Sequence, residues 1–485
     1  MSAWSRSLVG LFALVLLPAL ARADVDASAE SRARIEARID SIWEQVDAIE
    51  AGRQENWLTR ERAEDVRAVV TGVLEDADTR SSLQGTVANL GYDNGYYVRA
   101  SDDSFEMRFR GQVQFRWMYD HRSTMPGQQD GQSATYGFEI RRMKLHFFGH
   151  VVDPSLTYRL TLATNMASQA SGPEGAVFME NMWVQKRFEN GLRFRVGQYK
   201  GPYLREEIVP SVFLLTVDRS MVNHAFTYGW TEGLEIGWDG DGVHLVVMYN
   251  DGPRQQNVGA YQSGMQSILA RANIVLAGEY AQFTSLTNQN AEHFGLMLGA
   301  AFQWFQQSGP EGGFSYGNVH AQDSLGFTVD LSMFDRGWTA FTYFVWANGR
   351  DTAGGFDQPS VDSWGWVGQG GITVLEDLQL FGRYELGDIQ DYRGSLTRPG
   401  ETGHLSTLTV GFNWWPIGIQ DIKVACDFGY SFSSIDGGNG ANQSPGNGNT
   451  NPGSARWPGV GNGWQPDYGN QNGQWVVRAQ FQIEF

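Results

Sequence analysis

The chain has 485 residues and a formal net charge of −18, which argues against a nucleic-acid partner because surfaces that bind nucleic acids are basic. Glycine is abundant at 59 residues and aromatic residues make up 13% of the chain, while no long apolar run follows the first 20 residues. No transmembrane helix is therefore expected. This composition is typical of a membrane β-barrel, in which only alternate residues of each strand face lipid.

The N-terminus predicts a secretory signal peptide over residues 1–23. Arg6 supplies a basic start, residues 8–20 form a short apolar core, and residues 21–23 read as a small-x-small cleavage site. A retained N-terminal anchor helix is the alternative, but the apolar core is short for a stable bilayer-spanning helix. We therefore expect export, with a mature chain that begins near Asp24.

Residues 24–90 are expected to form a periplasmic helical segment. An apolar seam with spacings of 4, 3, 4 and 3 predicts a heptad repeat, and its members are Ile35, Ile39, Ile42, Val46 and Ile49. Isoleucine at both seam positions favours a three-stranded coil. Two interpretations remain open: a short trimeric coiled coil, or a solvated helix that packs against its own chain.

From residue 91 to residue 485 the pattern predicts an outer-membrane β-barrel. A turn at 93–95 ends the helical section, and the period then changes to two. In the first strand the apolar face is Phe105, Met107, Phe109, Val113, Phe115 and Trp117, and the polar face is Glu106, Arg108, Arg110, Gln112, Gln114 and Arg116. So many charged and amide side chains suit a water-filled lumen, with the aromatic face against lipid.

The alternation recurs to the end of the chain. Strands are predicted near 142–147, 156–162, 192–197, 232–238, 243–249, 268–282, 294–304, 325–333, 338–346, 364–374, 378–386, 406–414, 420–432 and 475–485. Short turns alternate with long loops, which is the asymmetry of outer-membrane barrels. The last strand alternates aromatic and apolar residues up to Phe485, which resembles the signature by which such barrels are recognised for assembly. We expect an all-β transmembrane barrel of about 16 antiparallel strands.

Enzymatic signals are weak. No HExxH, GxSxG or phosphate-loop pattern occurs, so we expect no enzymatic activity, and we predict neither a cofactor nor a metal. The turn that begins at Asp436 lacks the spaced carboxylates of a calcium loop. Cys426 shares a face with Val424 and Phe428, so we expect an inert, lipid-facing thiol.

Basic residues concentrate at lumen-facing positions of the first five predicted strands. These residues are Arg108, Arg110, Arg116, Arg142, Lys144, Arg159, Arg193 and Arg195. Clustered on one arc of a narrow pore, they would raise the local anion concentration and lower the barrier to anion passage. The alternative is that they pair with neighbouring carboxylates and confer no selectivity.

Between Tyr199 and Tyr228 the strand alternation lapses. This long, charged segment in the middle of the barrel is expected to fold inward as a constriction. The alternative is an outward loop or a contact between subunits.

Several short motifs resemble the phosphate-selective porin O/P family. They are GFEIRRMKL at 137–145, GHVVDP at 149–154, VGQYKGPYLREE at 196–207 and DRSMV at 218–222. The likeness extends from about residue 90 to the end and includes the preceding charged helix. By motif position, the resemblance implies pore or constriction roles for Arg142, Lys144, Lys200, Arg205 and Arg219. By the alternation, the side chain of Arg141 should point out of the barrel unless a β-bulge intervenes.

The resemblance further implies a homotrimer of 16-stranded barrels with a pore lined by arginine and lysine, and some members of the family conduct phosphate or polyphosphate. This sequence departs from that pattern: lysine is scarce, and Glu206 and Glu207 sit beside the basic residues and join the candidate constriction. The leading hypothesis is a porin in the outer membrane of a Gram-negative-type bacterium, which passes small polar or anionic solutes. The alternative is a structural barrel that tethers the envelope to the cell wall through the N-terminal helix.

Overall fold

The computed structural model describes residues 41, 89–93, 95–121, 134–164, 177–254, 265–287, 293–307, 323–350, 360–390, 402–418, 421–433, 435, 463–464 and 473–485. The predicted signal peptide, nearly all of the helical segment 24–90 and the turn that begins at Asp436 lie outside these residues. The chain divides into two compact units, Met1–Glu106 and Met107–Phe485.

The described residues form strands β1 to β18, and two of these form an N-terminal hairpin. In chain order the strands are β1 Asn89–Tyr92, β2 Tyr96–Arg99, β3 Phe105–His121, β4 Ala134–Val151, β5 Asp153–Thr164, β6 Val177–Arg187, β7 Leu192–Lys200, β8 Trp230–Asp239, β9 Val243–Asn250, β10 Met265–Ala277, β11 Gly295–Gln307, β12 Asp323–Asp335, β13 Trp338–Arg350, β14 Val361–Leu375, β15 Leu378–Gln390, β16 Thr402–Trp414, β17 Ile422–Ser431 and β18 Trp475–Glu484. The hairpin pairs β1 with β2.

Strands β3 to β18 form a closed antiparallel barrel of 16 strands. Each strand pairs with its neighbour in the chain, and β18 pairs with β3 from Trp475↔His121 to Glu484↔Gln112, which closes the sheet. Closure leaves no free strand edge, as a sheet surrounded by lipid requires. The predicted antiparallel barrel of about 16 strands is confirmed.

The two faces of each strand differ as the alternation predicted. On β3, Gln114 and Arg116 are fully buried inside the barrel, while Phe115 between them is 43% exposed on the outside. Successive side chains of a strand point to opposite faces, so a period of two separates a polar interior from an apolar exterior. No helix among the described residues is long and apolar enough to cross a membrane.

One predicted strand was too long, and one strand was missed. The strand predicted over 268–282 ends at Ala277, and a 3-10 turn, Tyr280–Thr284, follows Gly278, whose φ is +79°. Strand β6 was not predicted at all, because its register against β5 shifts after Thr161, which breaks the alternation of apolar and polar residues. A bulge of this kind hides a strand from a search for a period of two.

Barrel closure depends on a close contact between Gly111 and Phe485. The two residues exchange main-chain hydrogen bonds of 2.6 and 2.9 Å. A Cβ atom on Gly111 would lie 2.4 Å from Cζ of the Phe485 ring. We predict that Gly111→Leu destabilises the folded barrel by about 1–3 kcal/mol, because the ring has to move.

The measurement for this prediction is the temperature at which the folded band converts to the unfolded band on an SDS gel. Gly137→Leu is the matched control, since a Cβ atom on Gly137 meets nothing within 4 Å. We expect a lower conversion temperature for Gly111→Leu alone. Equal temperatures for both variants would contradict the closure contact.

Candidate pore and constriction

The segment between β7 and β8 folds into the barrel. It contains helix α1 (Arg205–Ile208), a 3-10 turn (Ser211–Phe213) and helix α2 (Met221–Phe226). Residues along its whole length are buried, among them Leu204 at 1% and Phe226 at 1% exposure. We call residues 201–229 the inward loop. The segment therefore lies inside the barrel, as expected, and is not an outward loop, while its role as a constriction stays a prediction.

Local sequence explains the path of the inward loop. Pro210 follows α1 and cannot donate the hydrogen bond that another helical turn needs. Ser220 caps α2, because its Oγ accepts a 2.8 Å hydrogen bond from the Asn223 main-chain nitrogen. Short helices separated by such stops let the loop turn several times within the barrel.

Apolar side chains hold the inward loop against strands β13 to β15. On β13 the inward positions include Phe341, Val345 and Ala347, all of them buried in one cluster with α2. Val222 of α2 lies so close to Gly365 of β14 that a Cβ atom there would meet its Cγ1 at 2.4 Å. This wall of the barrel is therefore covered by the loop.

Asp218 is the electrostatic anchor of the inward loop. Its fully buried carboxylate lies 2.8 Å from Arg116, 3.0 Å from Arg141 and 3.4 Å from Arg142. Burial alone would raise the pKa of this carboxyl, but the three guanidinium groups outweigh burial and hold the pKa well below its ordinary value. Asp218 is therefore ionised, and it joins the loop to strands β3 and β4.

Arg383 of β15 binds the loop from the opposite side. Its Nη1 donates to the main-chain oxygen of Asp218 at 2.7 Å and to Thr216 Oγ1 at 2.6 Å. Its Nε lies 2.9 Å from Glu385, whose other carboxylate oxygen accepts from the main-chain nitrogen of Met221 at 2.7 Å. Strand β15 thus contributes an ion pair that holds both ends of the 216–221 stretch.

Glu206 and Glu207 have different environments although they are adjacent. Glu207 lies 3.1 Å from Arg219 and 2.6 Å from Lys200. Burial would raise its pKa, but these two cations outweigh burial and lower it. Glu206 accepts from Tyr343 and Ser220, and burial raises its pKa despite Arg383 at 3.8 Å. Both side chains therefore bind residues of the loop to one another and to the barrel strands.

A second segment enters from the opposite end of the barrel. Residues 278–287, which follow β10, donate a 2.9 Å hydrogen bond from the Leu286 nitrogen to the Phe213 oxygen at the tip of the inward loop. Arg205 donates to the oxygen of Phe283. Arg205, for which the resemblance implied a role in the pore or constriction, is thus buried and holds the loop against this second segment.

Six of the predicted pore residues keep between 10% and 21% of their side-chain surface exposed inside the barrel. They are Arg110, Arg142, Lys144, Arg193, Arg195 and Lys200. All lie on β3, β4 and β7, and two of them, Arg142 and Lys200, also form ion pairs with the inward loop. We call this surface, together with Arg159 of β5, the basic wall. Arg108 is half-buried on β3, whereas Arg116 is fully buried and Arg219 nearly so.

Most cations of the basic wall have carboxylate neighbours. Lys144 Nζ lies 2.5 Å from Glu180, and Arg193 and Arg195 approach Glu235 at 3.6 and 3.7 Å. Arg110 lies 3.0 Å from Glu484. Pairing with acidic neighbours, which the sequence left open, is therefore observed, although the contacts to Glu235 are longer than hydrogen bonds.

Sequence reasoning missed part of this network. Alternation predicted that Arg141 points out of the barrel, but its side chain is only 10% exposed and donates to Asp218, so the alternation breaks between Arg141 and Arg142. It also missed the fully buried pair of Arg478 and Asp427, joined by bonds of 2.7 and 2.8 Å. Alternation along β18 places Arg478 on the polar face of the strand, but no sequence signal connects it to its partner. Among the described residues, no group of His, Cys, Asp and Glu could hold a metal ion.

The barrel resembles solved outer-membrane porins. Salmonella typhi OmpF in complex with daunomycin aligns with a TM-score of 0.50 at 11% identity, over 79% of this chain and 99% of that one. The anion-selective porin from Comamonas acidovorans has a TM-score of 0.48 at 10% identity, over 78% and 99%. OmpT of Vibrio cholerae has a TM-score of 0.46 at 11% identity, over 79% and 98%. At such identities the likeness to OmpF shows a common fold.

A search of curated proteins gave no match. The family model described as phosphate-selective porin O and P matches residues 112–298, a range that contains the inward loop and most of the basic wall. The resemblance to the phosphate-selective porin O and P family is thereby confirmed over the part of the chain that forms the candidate constriction.

Proposed function

We propose that this protein is an outer-membrane porin, a water-filled channel for passive diffusion of small polar solutes, with a preference for anions. The observation that carries the proposal is the position of the inward loop. It covers β13 to β15 and leaves the basic wall as a partly exposed surface within the barrel. Solutes would then pass between the loop and the basic wall.

The charge of the lumen supports the anion preference. Around the inward loop and the basic wall, the cations are Arg110, Arg116, Arg141, Arg142, Lys144, Arg159, Arg193, Arg195, Lys200, Arg205, Arg219 and Arg383, and the carboxylates are Glu139, Glu180, Glu206, Glu207, Asp218, Glu235, Asp239, Glu385, Asp421 and Glu484. The cations outnumber the carboxylates, in contrast to the net charge of −18 for the whole chain. A narrow passage of one sign concentrates counter-ions, so anions should be enriched there. Phosphate is one candidate among them.

The proposal extends to the assembly and the N-terminus. We propose residues 1–23 as a signal peptide, residues 24–90 as a periplasmic helical segment and a homotrimer as the assembly. The heptad seam and the family resemblance support this organisation, and contact of the N-terminal helix with the cell wall belongs to the same proposal.

The direct test is conductance in planar lipid bilayers with the purified full-length protein. A porin should insert as stable open channels, in steps of three if the trimer proposal is correct. Liposome swelling with sugars of increasing size would measure the cut-off of the constriction. A barrel that melts normally on SDS gels but does not conduct would refute the porin proposal.

Charge removal at the basic wall should lower anion selectivity. We predict that Arg193→Gln with Arg195→Gln lowers the ratio of chloride to potassium permeability about two- to fivefold, since two charges of the lumen are lost. The matched control is Arg336→Gln, an exposed arginine in the turn after β12. The permeability ratio comes from the reversal potential in a salt gradient. An unchanged ratio in the double variant would contradict the role of these residues.

A further inference from the structure

Arg159 of β5 differs from the other cations of the basic wall. Its guanidinium contacts Thr161 Oγ1 at 3.4 Å and His146 Nδ1 at 3.3 Å, which are both neutral groups. Among the residues that the structure describes, no carboxylate oxygen lies within 4.0 Å of it, whereas Lys144 and Lys200 each have one at 2.6 Å or less. Arg159 therefore keeps its charge available to a solute.

Aromatic rings flank Arg159 on both neighbouring strands. In the strand register, Arg159 pairs with Phe148 of β4 on one side and with Trp183 of β6 on the other. Its guanidinium carbon lies 5.7 Å from the centre of the Phe148 ring. Directly paired residues of antiparallel strands project to the same face of the sheet, so Phe148, Arg159 and Trp183 all face the lumen in one row across three strands.

On the next two strands, the positions paired with Trp183 are glycines. Trp183 pairs with Gly197 of β7, and Gly197 pairs with Gly233 of β8. Arg195 lies 4.7 Å from the centre of the Trp183 ring, so a second guanidinium stands beside this indole. The indole itself is only partly buried. Two cations and two rings thus occupy one patch of the lumen.

This combination fits one class of solute better than a bare oxyanion. A carboxylate forms charge-assisted hydrogen bonds with a guanidinium, and a planar ring attached to it gains stacking energy on an aromatic side chain. An inorganic anion has no surface to place against Phe148 or Trp183. The flanking rings therefore add nothing for chloride or phosphate and add a contact for a ring-bearing anion.

We propose that Phe148, Arg159 and Trp183 form a binding subsite in the lumen for small anions that carry a planar ring, such as aromatic carboxylates. The inference rests on the proposed porin function and names a solute class for it. Arg159 binds the carboxylate, and Phe148 or Trp183 stacks against the ring.

The test compares three blockers of the chloride current through single wild-type channels: benzoate, cyclohexanecarboxylate and acetate. All three carry one carboxylate, and only benzoate has a planar ring. We expect benzoate to reach half-block at about a tenfold lower concentration than acetate, with cyclohexanecarboxylate between them. Equal half-block concentrations for benzoate and acetate in a conducting channel would overturn the subsite and leave the porin proposal intact. A channel that does not conduct would overturn the porin proposal, and the subsite with it.

Variants assign the effect to the three residues. Trp183→Leu and Phe148→Leu should each reduce the ratio of acetate to benzoate half-block concentrations about two- to fivefold, and Arg159→Gln should weaken block by all three anions. Trp364→Leu is the control, because Trp364 lies on the outer surface at 38% exposure. Two ring variants are used so that the test can still be made if one of them fails to fold. A ratio that stays at the wild-type value in both ring variants would also overturn the subsite.

Discussion

Replacing Asp218 by asparagine is expected to destabilise the folded barrel by about 3–5 kcal/mol, because three buried guanidinium groups lose their shared counter-charge. Arg116, Arg141 and Arg142 converge on this one carboxylate, and Arg116 is fully buried. The inward loop should then detach in part, so the channel current should become noisier. The measurements are unfolding in guanidinium chloride, followed by tryptophan fluorescence, and single-channel recordings.

The control for Asp218→Asn is Asp241→Asn, since Asp241 is exposed in the turn between β8 and β9. The same change of side chain there should leave the free energy of unfolding unchanged within about 0.5 kcal/mol. If the two variants are equally stable, Asp218 is not the anchor of the loop.

The effect of Asp218 should depend on pH in a defined direction. Its pKa in the folded barrel lies well below the unfolded value, so the stabilisation is complete above about pH 5, where the unfolded carboxyl is ionised as well. It is lost progressively as the pH falls below that value toward the folded pKa. The difference in stability between wild type and Asp218→Asn should thus be constant from about pH 5 to 8 and smaller below about pH 4. A difference that grows with acidification would contradict this sign.

Removing the inward loop should raise conductance several-fold. In the variant, residues 203–227 are replaced by a short glycine–serine linker that joins β7 to β8. The lumen would widen over its central part, and the ratio of anion to cation permeability should fall toward one, since charges more than about 8–10 Å from an ion are screened at physiological salt. Single-channel conductance and reversal potential measure both effects.

This loop deletion is informative only if the barrel still forms, so the variant must retain a folded band that shifts on heating in SDS gels. The strand residues that bind the loop in the wild type, such as Arg383 and Glu385, would then face water, which replaces the hydrogen bonds lost with the loop. An unchanged conductance in a folded variant would show that the loop does not restrict the pore.

The barrel itself was predictable, because one face of each strand meets lipid and the other does not. The period of two located most strands and the closing strand that ends at Phe485. It failed at β6, where a register shift after Thr161 changes which residues face inward. It failed again at Arg141, because the break in alternation that turns this side chain inward cannot be read from the sequence.

The packing of the inward loop was only partly predictable. Alternation lapses over residues 199–228, which located the loop. One sequence feature could have identified the wall that the loop covers. Strand β13 is apolar on both faces, with Phe341 and Val345 inward and Phe344 and Trp346 outward. A strand with two apolar faces needs a cover on the side away from lipid.

The ion pairs could not be derived from the sequence. Alternation gives the face on which Arg383 or Arg478 lies but not its partner, since Asp218 is 165 residues from Arg383 in the chain. Such contacts depend on the depth and tilt of each strand and on the path of the loop. These are properties of the closed barrel rather than of any one segment.

The most direct test of the account is the reversal potential of the wild-type channel in a gradient of potassium chloride at neutral pH. If the inward loop leaves the basic wall as the open surface of the pore, the potential should have the sign of anion selectivity and should shrink as ionic strength rises. A reversal potential with the sign of cation selectivity would mean that carboxylates dominate the passage, which would contradict the proposed path between the loop and the basic wall.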